Sequence, residues 1–195
     1  MPNEKYGAGK DWNVYEDPEN AYLLIKEAKN PGLEPSKSMM QRLYLGKILH
    51  ILFPHNIPDV YSVSAEKGAK LKVQKIILDG ESDAIRKLYQ GKSITKLTQA
   101  DLNFFNRIKK HPEYEKFCST LATLGLYIEV APENFGFDAD DHLFYLDSDV
   151  LDPNEAQVEI PQLILNLRRF ISEIESEKEK VQALLYLESL EKLVT

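Results

Sequence analysis

The sequence predicts an α+β fold, with strands gathered in residues 1–80 and helices dominating residues 81–195. Short apolar runs bounded by turn residues recur as far as Leu78, apolar spacing of three and four takes over beyond Ser82, and a short strand pair interrupts the helices between Phe135 and Tyr145. Hydrophobic residues make up 43% of the 195, enough for a substantial core in one domain or two small lobes.

The elements follow in order. Gly7-Ala8-Gly9-Lys10-Asp11-Trp12-Asn13-Val14 reads as a glycine-containing loop leading into a strand. A polar turn, Asp17-Pro18-Glu19-Asn20, separates it from the apolar run Ala21-Tyr22-Leu23-Leu24-Ile25, which Lys26 closes. Asn30-Pro31-Gly32 breaks the chain, Pro35-Ser36-Lys37-Ser38 starts a helix, and Met40, Leu43, Tyr44, Ile48, Ile51 and Leu52 mark its buried face up to Phe53-Pro54. Pro58 to Val63 and Leu71 to Leu78 read as paired strands across Glu66-Lys67-Gly68-Ala69, followed by the turn or hinge Leu78-Asp79-Gly80-Glu81.

Ser82 opens a short helical segment, and Thr98-Gln99-Ala100-Asp101 has capping-box spacing ahead of a face made by Leu102, Phe105 and Ile108. Pro112 suits a new first turn, Phe117, Cys118, Leu121 and Leu124 point inward, and Gly125 ends that helix. From Ile160 to Val194 the pattern is helical, with Leu163, Leu167, Phe170, Ile171 and Ile174, then Val181, Leu184, Leu185 and Leu187. The charge run Glu173 to Lys180 lies between the two sets.

The chemistry-bearing stretch is Glu129-Val130-Ala131-Pro132-Glu133-Asn134 with the acidic pair Asp147 and Asp149. Phosphoryl transfer needs oxygen ligands for Mg²⁺ and a carboxylate beside the attacking hydroxyl. Asn134 stands five positions after Glu129, the spacing of Asp to Asn in H-R-D-L-x-x-x-N. Phe135, Phe137, Leu143 and Tyr145 read as a hairpin around Asp138-Ala139-Asp140-Asp141-His142, and a hairpin joins its ends, so Asn134 and Asp147 can reach one metal. The plainer reading is a surface hairpin with an acidic turn.

At the other end, Gly7, Gly9 and Val14 satisfy G-x-G-x-x-G-x-V except at its third glycine, where Trp12 stands, and Ala21 to Lys26 resembles the V-A-I-K strand. Taken in this order, the motifs resemble the protein kinase-like superfamily, which includes protein kinases and the aminoglycoside and choline phosphotransferase type enzymes. The resemblance runs from Gly7 to Asp149. It implies two lobes, an antiparallel-sheet N-lobe with one helix over residues 1–80 and a reduced, mainly helical C-lobe over 81–195. It also implies ATP in the cleft, with Gly7, Gly9, Val14, Lys26, Leu78 and Gly80 around the nucleotide. Mg²⁺ would lie on Asn134 and Asp147, Lys26 on the phosphates, and Glu129 would serve as base.

The chain also departs from that pattern. Glu129 stands for Asp, Ala131 for a basic residue, and Lys37 to Leu52 holds no acid to pair with Lys26, Gln41 being the nearest polar substitute. No A-P-E follows Asp149, so a small hydroxyl compound is the expected acceptor rather than a peptide. A catalytically impaired pseudokinase that binds a nucleotide or a protein partner is the alternative, and accidental motif matches in another α+β domain are a third.

A net charge of −7 argues against nonspecific nucleic-acid binding and leaves room for a cationic substrate. The chain starts Met1-Pro2-Asn3-Glu4-Lys5 without an apolar signal segment and has no run of about eighteen apolar residues, so no membrane association is expected. Cys118 alone forms no internal disulfide, and His50, His55, His111 and His142 have no zinc spacing, which together suit a cytoplasmic setting. Asp138, Asp140 and Asp141 lack the glycine and the final Glu of a calcium loop and read as an acidic turn.

Overall fold

A computed structural model describes residues 5–8, 12–30, 35–64, 68–89, 98–126, 128–151 and 159–194. Strands β1 (Lys5–Ala8), β2 (Trp12–Asp17) and β3 (Asn20–Ala28) form a meander in which β2 is antiparallel to both neighbours, with Val14 opposite Lys26 and Trp12 opposite Ala28. The helix α1 (Pro35–Leu52) then carries the chain across to β4 (Val60–Ser64) and β5 (Lys70–Gln74). Because β5 returns between β3 and β4, the sheet order is β1-β2-β3-β5-β4, antiparallel throughout. The second expected strand is shorter than its apolar run: β5 ends at Gln74, and Leu78 makes only an isolated bridge with Asp138.

α1 begins at Pro35, whose missing N–H falls where a helix has no internal acceptor. It is buried on more than one side, with Leu45, Ile48 and Leu49 fully covered. At Gly46 the helix approaches β4 so closely that a Cβ would stand 2.5 Å from Val60 Cγ2. Glycine in a helix interior costs about 1 kcal/mol relative to alanine, and here the contact requires it. Phe53 N–H still reaches Leu49 O at 2.8 Å, and Pro54 supplies no further donor.

The second part holds α2 (Gly80–Tyr89), α3 (Gln99–Lys110), α4 (Tyr114–Leu124), the hairpin β6 (Phe135–Phe137) and β7 (Leu143–Tyr145), and α5 (Ile160–Ser172) and α6 (Glu177–Val194). The helix α2 starts at Gly80 rather than Ser82, capped by Asp79, whose Oδ1 accepts Ser82 N–H at 2.7 Å. The Thr98 capping box forms as expected, and Gly125 ends α4 in the left-handed region at φ 74.

Two helix faces differ from expectation. In α3 the buried set is Asp101, Phe104 and Ile108, while Leu102 is 44% exposed. The helix is rolled because Asp101 turns inward to accept hydrogen bonds from Tyr89 Oη, Thr98 N–H and Thr98 Oγ. In α6 the stripe Ala183, Leu187 and Leu190 is buried, and Val181 and Leu185 face outward. The deciding contact is with α1, along which α6 packs: Tyr44 and Tyr186 rings lie 6.3 Å apart and Gln41 Nε2 donates to Leu193 O at 3.5 Å. One hydrophobic cluster therefore contains Trp12 and Leu45 together with Leu187 and Leu190, and the last helix crosses the division expected at residue 80.

Candidate functional site

Lys26 shares a face of β3 with the buried Leu24, two positions before it. Its Nζ donates to Leu146 O at 2.7 Å and to Ser148 Oγ at 2.6 Å, the two residues that flank Asp147. A strand lysine and the segment around Asp147, about 120 positions downstream, thus meet.

The hairpin explains how the segment is placed. Phe135 pairs with Tyr145 and Phe137 with Leu143, and the ladder runs one step further where Leu146 N–H donates to Asn134 O at 2.7 Å. Asn134 therefore lies across from the residue that precedes Asp147. Its side-chain Nδ2 donates to Glu129 O at 3.2 Å, closing the loop from 129 to 134 over the buried Pro132. Glu129 N–H in turn donates to Tyr145 Oη at 3.1 Å.

Several carboxylates gather around Glu133. Burial, and then the charges of Glu129, Asp101 and Asp147, push the Glu133 carboxyl above its ordinary value, and Glu133 Oε2 is buried without a hydrogen-bond partner. These are the conditions a divalent cation relieves. The donor chemistry agrees: Asn134 and Asp147 offer the oxygen atoms that hard cations take, and with Nδ2 committed to Glu129 O the Asn134 side-chain oxygen is the atom that remains.

Two contributors escaped the motif reading. Ser148 is 4% exposed, and Arg42, 8% exposed on α1, donates from Nη1 to Ser148 O at 2.9 Å. Thus α1, which holds no acidic residue, sends a cation to the segment that receives Lys26. The Arg42 guanidinium also stands 5.2 Å from the centre of the Trp12 ring, so Trp12 packs inside, between sheet and helix. A signal was present: Arg42 sits on the stripe of Met39, Leu45 and Leu49, where a charged side chain is rare.

The remaining positions are placed as follows. Gly7 pairs with Val14 between β1 and β2, and Gly9 lies outside the described residues. Leu78 bridges Asp138, Asp79 N–H donates to Phe137 O at 2.7 Å, and Gly80 is the exposed first residue of α2. The main chain at Asp79 is accordingly committed to the hairpin. Arg107 locks that junction, reaching Asp79 at 2.7 Å, Glu81 at 2.9 Å and Asp141 at 2.6 Å, with its guanidinium 3.8 Å from the Phe137 ring centre.

Asp138, Asp140 and His142 have ligand atoms within 4.8 Å of one another. The turn itself accounts for them: Asp138 Oδ1 accepts the N–H groups of Asp140 and His142, and Asp138 Oδ2 lies 3.0 Å from His142 Nδ1. They occupy the closed end of the hairpin, and Asn134 and Leu146 its open end. Among the described residues no helix is long and apolar enough to cross a membrane.

Neither the protein-family models nor the curated proteins compared with the chain give a match. Function therefore rests on the residues and their geometry.

Proposed function

We propose that the chain is an ATP- and Mg²⁺-dependent phosphotransferase of kinase-like, two-lobed architecture that acts on a small hydroxyl compound. The observation that carries the reading is the pair of hydrogen bonds from Lys26 Nζ to Leu146 O and Ser148 Oγ, which hold a strand lysine beside Asp147. Lys26 orients the phosphates, Glu129 accepts the proton of the attacking hydroxyl, and Asn134 and Asp147 hold the metal. Mg²⁺, when bound, neutralises charge on the phosphate oxygens. The small antiparallel sheet that carries Lys26 and the helices around the hairpin supply the α+β content that such an architecture needs.

A second reading, a nucleotide- or partner-binding module without turnover, draws on Arg42 arriving from α1 in place of an acid and on the commitment of Asp79 N–H to Phe137 O. Thermal unfolding of the full chain with millimolar ATP, with and without Mg²⁺, tests what the two share. A ligand at 100 times its Kd adds about 2.7 kcal/mol, and no stabilisation by wild type ends the enzyme and the nucleotide-binding module, leaving only a module that binds a protein partner. Turnover in a screen of small alcohols separates them: activity that collapses in Glu129→Gln and Asp147→Asn supports the enzyme, whereas absent turnover with retained nucleotide binding supports the module.

A further inference from the structure

We propose that Ser148 is the positioning residue for Lys26: its hydroxyl, on a segment tied to α1 by Arg42, sets where the lysine ammonium points. The inference rests on the reading of Lys26 as a phosphate-contacting residue.

A lysine on a strand carries a point charge on a flexible stem, so its use depends on what restrains the tip. Helix α1 has no acidic residue over its whole length and cannot restrain it by ion pairing. What α1 provides is Arg42, a second cation. Two cations converge on one segment only where several acceptors are offered, and Ser148 offers two of them. Its Oγ accepts from Lys26 at 2.6 Å and its carbonyl accepts from Arg42 at 2.9 Å. Ser148 itself is 4% exposed, so both acceptors sit on a residue largely screened from water.

Arg42 is steadied in turn by the Trp12 ring at 5.2 Å. A continuous set of contacts therefore runs from β2 through α1 and Ser148 to Lys26. In this arrangement the hydroxyl takes over a task that a helix carboxylate performs in kinase-like proteins. It also makes the direction of Lys26 depend on the same short segment that carries Asp147.

Calorimetric titration of the full chain with Mg·ATP, and separately with adenosine, tests this in wild type, Ser148→Ala, Lys26→Ala and the double variant. Ser148→Ala is expected to weaken Mg·ATP roughly tenfold, the scale of one hydrogen bond to a charged group. Adenosine, which lacks phosphates, should bind both proteins alike. In the Lys26→Ala background the Ser148 substitution should add nothing, because its effect passes through the lysine. Mg·ATP binding by Ser148→Ala equal to wild type overturns the assignment, as does a loss that persists without Lys26 or extends equally to adenosine. If Ser148→Ala loses cooperative unfolding, Ser148→Cys, similar in size but a weaker acceptor, is measured in its place with the same outcomes. Absence of Mg·ATP binding by wild type is a distinct result, which overturns the nucleotide reading and this inference together.

Discussion

Lys26 Nζ and Leu146 O are 2.7 Å apart, across 120 positions of sequence. The bond joins the middle of a five-stranded sheet to the exit of a two-stranded hairpin. Replacing Lys26 by Met keeps most of the apolar stem and removes the charge. Lys26→Met is expected to weaken, by roughly tenfold or more in affinity, the Mg²⁺-dependent stabilisation by ATP while leaving a cooperative unfolding transition. A variant that responds to Mg·ATP as wild type does would remove Lys26 from the site.

Gly46 makes a purely structural expectation. Alanine at an ordinary helix interior position stabilises relative to glycine, but here its Cβ would meet Val60 Cγ2 at 2.5 Å, where Val60 is fully buried. Gly46→Ala should therefore destabilise, by about 1–3 kcal/mol as overpacking does. Chemical denaturation checks this, and Gly46→Ala made in a Val60→Ala background should cost clearly less than it does alone. Equal costs in both backgrounds would mean that Val60 is not the obstacle.

Asp101 links α2 to the start of α3. Burial alone would raise its carboxyl, but hydrogen bonds from Tyr89, from the Thr98 hydroxyl and from the Thr98 N–H outweigh burial and hold it below the ordinary 3.8. A depressed carboxylate contributes stability that is present above its unfolded value and lost as pH falls through the folded one. Thr98→Ala is expected to cost about 1 kcal/mol, as N-cap losses do. Tyr89→Phe should lower the unfolding midpoint at pH 7 and narrow its gap to wild type below the ordinary aspartate value. A midpoint at pH 7 unaffected by Tyr89→Phe would leave the Tyr89 bond without energetic consequence.

Much of this molecule is written locally. The Thr98 box, the Gly125 stop, the Pro35 start and the hairpin between Phe135 and Tyr145 each depend on neighbours a few positions away, and each is where the pattern places it. What periodicity misplaced was decided at long range. Leu102 and Phe105 suit a helix face as well as Phe104 does, until Asp101 is drawn inward by Tyr89; Val181 and Leu185 suit one as well as Leu187 does, until α6 meets α1. The site divides in the same manner. Asn134 beside the segment of Asp147 follows from hairpin geometry, but Arg42 and Ser148 join it through contacts spanning 106 positions, which no spacing rule reaches.

His142 reports on the hairpin turn. Its hydrogen bond with Asp138 is the largest influence on its ring and, against some loss of hydration, raises it above the ordinary 6.5, with help from Asp140 and Glu113. A raised histidine adds stability that is fully present below its unfolded value and lost as pH rises through the folded one. Asp138→Asn should return the His142 titration midpoint, followed by NMR, toward 6.5. It should also loosen the turn, because Asp138 Oδ1 holds the N–H groups of Asp140 and His142. A midpoint unchanged by the substitution would show that Asp138 does not set it.

Glu133 is shifted in the same direction as His142, but here the fold disfavours the charged form. Burial is the first cause of its raised carboxyl, and the neighbouring charges of Glu129, Asp101 and Asp147 add to it, with Oε2 enclosed and without a hydrogen-bond partner. The folded protein therefore holds this proton more tightly than the unfolded chain does. Between the ordinary 4.5 and the folded value, stability falls as pH rises, because ionisation leaves an unmatched charge among carboxylates. Glu133→Gln preserves shape and removes that charge. Its unfolding midpoint should exceed that of wild type at pH 8, and the difference should shrink as pH drops toward 4.5, where wild type becomes protonated and equally neutral. Midpoints recorded at a series of pH values decide the matter, and a wild type more stable than Glu133→Gln at pH 8 would mean that the carboxylate is matched by a cation of the protein after all.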